Sequence, residues 1–112
     1  MDIILKERVL KKCANDDRKM LREFGKIRAE KIKLRLLQLS AAQTLEDVRN
    51  LAGRWHELTG SRKGQWACDL DGPFRLIFIP VEEPIPVDKN NSYIWKEIKG
   101  VKIIEILNYH EK

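Results

Sequence analysis

The chain has 112 residues, 43% hydrophobic and 35% charged, enough for one modest core and a single domain over residues 1–112. Lys and Arg outnumber Asp and Glu by 22 to 17, giving a net charge of +5; such a surface attracts phosphate polymers and acidic proteins, and equally serves solubility. No apolar run approaches the roughly 20 residues of a membrane span, and Cys13 and Cys68 with only two histidines fall short of the about four ligands of a zinc site.

The start, Met1-Asp2-Ile3-Ile4-Leu5-Lys6, is charged too early for a secretion signal. Both cysteines are therefore expected as buried apolar fillers in a reducing cytosol. Ile3, Ile4 and Leu5 suit a short opening strand. Val9, Leu10, Cys13, Met20, Leu21 and Phe24 then fall on one side of a helical wheel. Asn15-Asp16-Asp17 interrupts that stretch as a helix stop followed by an N-cap, and Gly25 marks a further break.

From Lys26 to Ala42 the spacing predicts a helix. Ala29, Ile32, Leu36 and Leu39 line one face. Lys26, Arg28, Lys31, Lys33 and Arg35 crowd the rest, and Ile27 and Leu34 fall on the far side, so the helix is expected to make contacts on two sides. Thr44 followed by Asp47 signals a capped turn through Leu51.

After Gly53 the pattern changes to strands. Trp66, Cys68 and Leu70 alternate with Gln65, Ala67 and Asp69. Asp71-Gly72 is a turn, and Phe74 to Ile79 is a second strand. Pro80, Pro84 and Pro86 interrupt regular structure, Lys89-Asn90-Asn91 is a loop tip, and Tyr93 to Ile98 suits a short helical turn. Val101 to Tyr109 reads as a central strand covered on both faces. The expected fold is α+β, a small twisted, mainly antiparallel sheet with N-terminal helices on one side.

Acid–base chemistry near neutral pH has few candidates. His56 lies just before the basic, glycine-flanked Gly60-Ser61-Arg62-Lys63-Gly64, and His110 follows Tyr109 near the chain end. Each has a plainer reading as a surface residue, as Arg62 and Lys63 have in a solvated turn. Arg75 is harder to dismiss, because a guanidinium in a strand of Phe, Leu and Ile needs a carboxylate, a wet face or a phosphate.

The ordered set Gly53-Arg54-Trp55-His56-Glu57-Leu58, Gly60-Ser61-Arg62-Lys63-Gly64-Gln65-Trp66, Phe74-Arg75-Leu76-Ile77-Phe78 and Asn108-Tyr109-His110 resembles the HigB-type toxins of the RelE/ParE superfamily. The similarity extends back through Leu45-Glu46-Asp47 and the basic helix. It implies the toxin of a type II toxin–antitoxin pair: a cytoplasmic, metal- and cofactor-independent endoribonuclease that cuts messenger RNA on the ribosome. By the resemblance, His56, Arg75, Tyr109 and His110 are catalytic. The same reading gives Arg62, Lys63, Lys31, Lys33, Arg35 and Asn108 to RNA and the ribosome with its 16S ribosomal RNA. The implied partner is an antitoxin with a helix-turn-helix DNA-binding domain, through which alone operator DNA is met. No membrane is involved.

One departure stands out: the family commonly has an acidic residue where this chain has Asn108, and Glu105 points to the other face. In the mechanism implied, the histidines move protons, Arg75 and Lys63 stabilise phosphate charge, and Tyr109 stacks on a base or orients the phosphate. His110 is expected to approach His56 and Arg75 across the concave face. Two other readings compete: a ParE-like gyrase inhibitor without nuclease activity, and a non-catalytic basic RNA- or protein-binding domain.

Overall fold

Asp16 separates the first two helices. It is extended, and its carboxylate accepts from the backbone N–H groups of Arg18 and Lys19 at 3.0 and 3.1 Å, satisfying donors that a helix start leaves open. Upstream, Glu7 caps α1 (Arg8–Cys13) through the Leu10 N–H at 2.7 Å. Downstream, α2 (Asp17–Ala41) is broken at Gly25 (φ 77°, ψ 165°), a conformation open to glycine because it has no Cβ to clash. The computed structural model describes residues 1–111, and Lys112 lies outside them.

β1 (Asp2–Leu5) precedes these helices, and α3 (Leu45–Val48) follows them. The Thr44 N–H donates to the Asp47 carboxylate at 3.0 Å, the expected capping contact, although the helix ends at Val48, short of Leu51. The remaining strands are β2 (His56–Glu57), β3 (Trp66–Asp69), β4 (Phe74–Pro80) and β5 (Gly100–Asn108), with 3-10 turns at Gly60–Arg62, Trp95–Glu97 and Tyr109–Glu111. The sheet order is β1-β5-β4-β3-β2; β1 runs parallel to β5 and every other pair is antiparallel. The fold is α+β, with the N-terminal helices packed on one face of the sheet. Among the described residues no helix is long and apolar enough to cross a membrane.

The core fills the space between the helices and that face. Leu10, Ile32, Leu39 and Leu45 from the helices meet Trp66, Cys68, Leu76, Phe78, Val101 and Ile103 from the sheet, all nearly or fully buried. Trp95, from the loop after β4, packs edge-on against Trp66 with ring centroids 5.4 Å apart. Both cysteines are buried and unpaired.

β5 departs from the expectation of a strand covered on both faces. It does lie between two strands, but only its first half is buried, and residues 104–108 are half-exposed. A β-bulge explains the misleading apolar run. Ile77 pairs with Glu105 while Phe78 pairs with Ile103, so Ile104 is an extra residue. The bulge shifts the strand's phase, which lets Ile103 and Ile106 both pack toward the core although their numbers differ in parity. Lys102, Glu105 and Leu107 are left on the opposite face.

Candidate functional site

The face of the sheet away from the helices is built in rows by strand register. Paired residues of neighbouring strands share a face. One row reads His56, Ala67, Ile77, Glu105, and the next reads Asp69, Arg75, Leu107. His56 and Arg75 therefore lie on one face, two strands apart, at a Cα separation of roughly 12 Å by sheet geometry.

Arg75 has the carboxylate that its place in an apolar strand calls for. Its Nε is 3.0 Å from Asp69 Oδ1, an ion pair whose angles fall outside hydrogen-bond alignment. Its Nη1 donates to the carbonyls of Gly72 and Phe74 at 2.8 and 2.9 Å, and Tyr109 lies with its ring centroid 5.2 Å from the guanidinium carbon. Among the described residues Nη2 takes part in no hydrogen bond or ion pair, and the side chain is 15% exposed.

Arg54 joins this centre to His56. Its φ of 52° is in the left-handed region, uncommon for a residue with a Cβ. The turn presents the Arg54 carbonyl to His56 Nδ1 at 2.7 Å and brings Arg54 Nε to 3.6 Å from Asp69 Oδ2. Since a carbonyl only accepts, Nδ1 carries the proton of the neutral ring and Nε2 holds the lone pair. A continuous chain of contacts thus runs from His56 through Arg54, Asp69 and Arg75 to Tyr109.

Arg35 holds the chain from behind, and here the expectation of a surface, RNA-contacting Arg35 is corrected. Arg35 is 5% exposed. Its Nε donates to the Asp69 carbonyl at 2.8 Å, and its Nη1 to Gln38 Oε1 and the Ala52 carbonyl at 2.9 and 3.2 Å. It falls on the core side of α2 among Ile32 and Leu39, where a flexible cation can satisfy backbone carbonyls of the loop before β2 and of β3. A Cβ on Gly53 would sit 2.8 Å from the Arg35 guanidinium carbon, so this close approach requires glycine. Arg28 braces the next turn with a bidentate pair to Asp71 at 2.9 and 3.2 Å and a stack over Phe74.

The other expected residues are distributed as follows. Arg62 reaches across the open face to Glu105 at 2.9 Å while donating to Gln65 Oε1 at 2.8 Å, so it is latched over the His56–Glu105 row. Lys63 is exposed, its ammonium 5.6 Å from the Tyr93 ring centroid. Asn108 pairs with Phe74, which puts it on the helix-side face opposite Glu105, and its Oδ1 accepts from the His110 N–H at 3.0 Å. His110 is exposed in the terminal 3-10 turn, next in sequence to Tyr109. It does not approach His56: three strand spacings and more than two rows separate them, roughly 20 Å by sheet geometry.

Lys31 and Lys33 lie on α2, behind the sheet, and Lys33 pairs with Asp17 at 2.6 Å. The basic helix and the open face are therefore separate surfaces. Arg54 and Asp69 are additions that motif reading missed. Asp69 was accessible by counting back from the Asp71-Gly72 turn, which sets it opposite Arg75; nothing local marks Arg54. No protein-family model matches the chain, and no curated protein matches it.

Proposed function

We propose that this chain is a HigB-type toxin of the RelE/ParE superfamily. In this reading it is a metal- and cofactor-independent endoribonuclease that cuts messenger RNA on the ribosome, acts in the cytoplasm, and is silenced by an antitoxin with a helix-turn-helix domain. The observation that carries it is the chain of contacts, through Arg54 and Asp69, that links His56, Arg75 and Tyr109 along one face of the sheet. Those residues come from three separate stretches of sequence that the family resemblance had singled out.

The chemistry follows from the groups. Attack by a ribose 2′-hydroxyl on the adjacent phosphorus builds negative charge on the non-bridging oxygens, and Arg75 with the exposed Arg54 supplies donors for it. Because the histidines stand far apart, one of them serves a given scissile phosphate: His110, next to Tyr109, takes the 2′-hydroxyl proton as the 2′-oxygen bonds to phosphorus, the P–O5′ bond breaks, and water protonates the leaving 5′-oxygen, while His56 contacts the neighbouring nucleotide. Lys31 and Lys33, on the opposite side of the molecule, would hold ribosomal RNA.

A second reading, a binding protein without chemistry, draws on the ion pair that already neutralises Arg75. Single-turnover cleavage of a ribosome-bound message separates the two. The toxin reading expects cleavage by the parent and a loss of about 10²–10³ for a folded Arg75→Ala protein. Growth arrest with intact transcripts and damaged DNA would instead assign the fold to gyrase inhibition.

A further inference from the structure

The open face continues past the His56 row into a recess of about 240 Å³, which the proposed mechanism leaves unused. Its floor is Ile79 of β4, and its far wall is the strap after that strand, Glu82, Glu83 and Ile85. The strap is seated closely: a Cβ on Gly64 would come within 3.3 Å of the Ile85 methyl. Arg62, latched to Glu105 and Gln65, separates this recess from the Arg75 centre.

Three features describe its occupant. The volume is below the about 300–1,000 Å³ of pockets for drug-sized ligands, so it suits a single ring system. Two isoleucines offer apolar surface to the flat side of such a ring. The polar groups are mixed: Gln65, whose Oε1 is occupied by Arg62, keeps its amide NH₂ as a donor, while two glutamates supply acceptors. Of these, Glu82 Oε2 accepts from the Lys99 N–H at 2.8 Å and its Oε1 is buried, so the exposed Glu83 carboxylate is the acceptor that stands open to an occupant. Lys63 and Lys102 stand at the rim and make no ion pair among the described residues, in reach of a phosphate attached to such a ring.

We propose that this recess is a nucleobase seat for an amino-bearing base, cytosine, adenine or guanine, with Glu83 accepting from its amino group and the two lysines holding its phosphate. Uracil, with two carbonyls and one ring N–H, fits worst. The proposal rests on the RNA reading above and deepens it. Ile79 is four residues along β4 from Arg75, roughly 13 Å, so the seat reads a base away from the cleaved bond and sets sequence preference without joining the chemistry.

The test is methyl NMR of the full chain, with the Ile79 and Ile85 δ1 methyls assigned, titrated with AMP, CMP, GMP and UMP. Both methyls should shift with the first three at lower concentration than with UMP. Glu83→Gln should weaken the best binder by about tenfold, and Lys102→Ala should weaken all four alike. Filling the recess with Ile85→Trp should remove the response, and the solvent-exposed Glu83→Gln gives a second readout if that variant misfolds. Equal response to UMP overturns the base preference. Silent methyls overturn the seat, while the RNA reading is judged separately by the cleavage assay on Arg75.

Discussion

Arg35 gives the sharpest test of where the basic residues of α2 work. Arg35→Met keeps much of the side chain's length and removes the guanidinium. The Asp69 carbonyl then loses its charged donor, Arg35 itself being only 5% exposed, while the Ala52 carbonyl keeps the Gln38 and Trp55 side-chain donors. Leaving one buried polar group unsatisfied costs about 1–3 kcal/mol, and bonds to a charged group stand at the high end. The loss is therefore about 2–3 kcal/mol, a sizeable part of the about 5–15 kcal/mol that holds a domain folded. Urea denaturation followed by circular dichroism measures it, with Lys33→Met as the exposed control. The control should change stability by no more than about 0.5 kcal/mol. A loss below about 1 kcal/mol for Arg35→Met would mean that the guanidinium is solvated and would return it to the surface set. A second consequence follows if the reasoning holds: because Arg35 anchors Asp69, the variant should also lose activity at temperatures where it is still folded.

Other expectations concern separate parts of the molecule. Burial pushes the Cys68 thiol well up, with the adjacent Asp69 carboxylate adding to it against Arg35; the folded state keeps the proton that the unfolded chain releases above about pH 8.5. That stability is complete below about pH 8.5 and declines as pH rises toward the folded value, by at most about 1.4 kcal/mol per pH unit, and Cys68→Ala should flatten the alkaline limb of a stability–pH curve. Neutralising Lys31 and Lys33 together should lower the salt slope of RNA binding by about 1.4, from 0.7 per phosphate contact, while leaving single-turnover cleavage unchanged at saturation. His110→Ala should slow cleavage by about 10²-fold or more and exceed the effect of Asn108→Ala, since Asn108 only caps the turn that carries His110; equal rates for His110→Ala and the parent would remove this histidine from the chemistry. Gly53→Ala should destabilise the protein, because its Cβ would meet both Arg35 and Trp55 at a φ of 128°.

Much of the fold was legible because it is written in local chemistry. Asp16 and Thr44 announce helix starts through side-chain acceptors within a few residues, Gly25 announces a break through its missing Cβ, and the alternation of Trp66, Cys68 and Leu70 shows which side of β3 meets the core. The family-like residues His56, Arg75 and Tyr109 were also visible as types in an order. Their meeting was not, since register pairs β2 with β3 and β3 with β4 through contacts far apart in sequence.

Three features needed the tertiary structure. The bulge at Ile104 depends on how β5 meets β4, and without it the apolar run reads as a strand buried on both sides. Arg35 looks like one more cation on a basic helix; only the packing of α2 against the loop before β2 turns it inward. The separation of His56 from His110 comes from the sheet order, which sets two strands, β3 and β4, between them. Side-chain type and periodicity thus determined which elements form and which face each buries, because those preferences act within a turn or a strand. Partnership among charged groups was decided by the fold, because a guanidinium at the end of a long chain takes whichever carboxylate or carbonyl the packed backbone brings within about 3 Å.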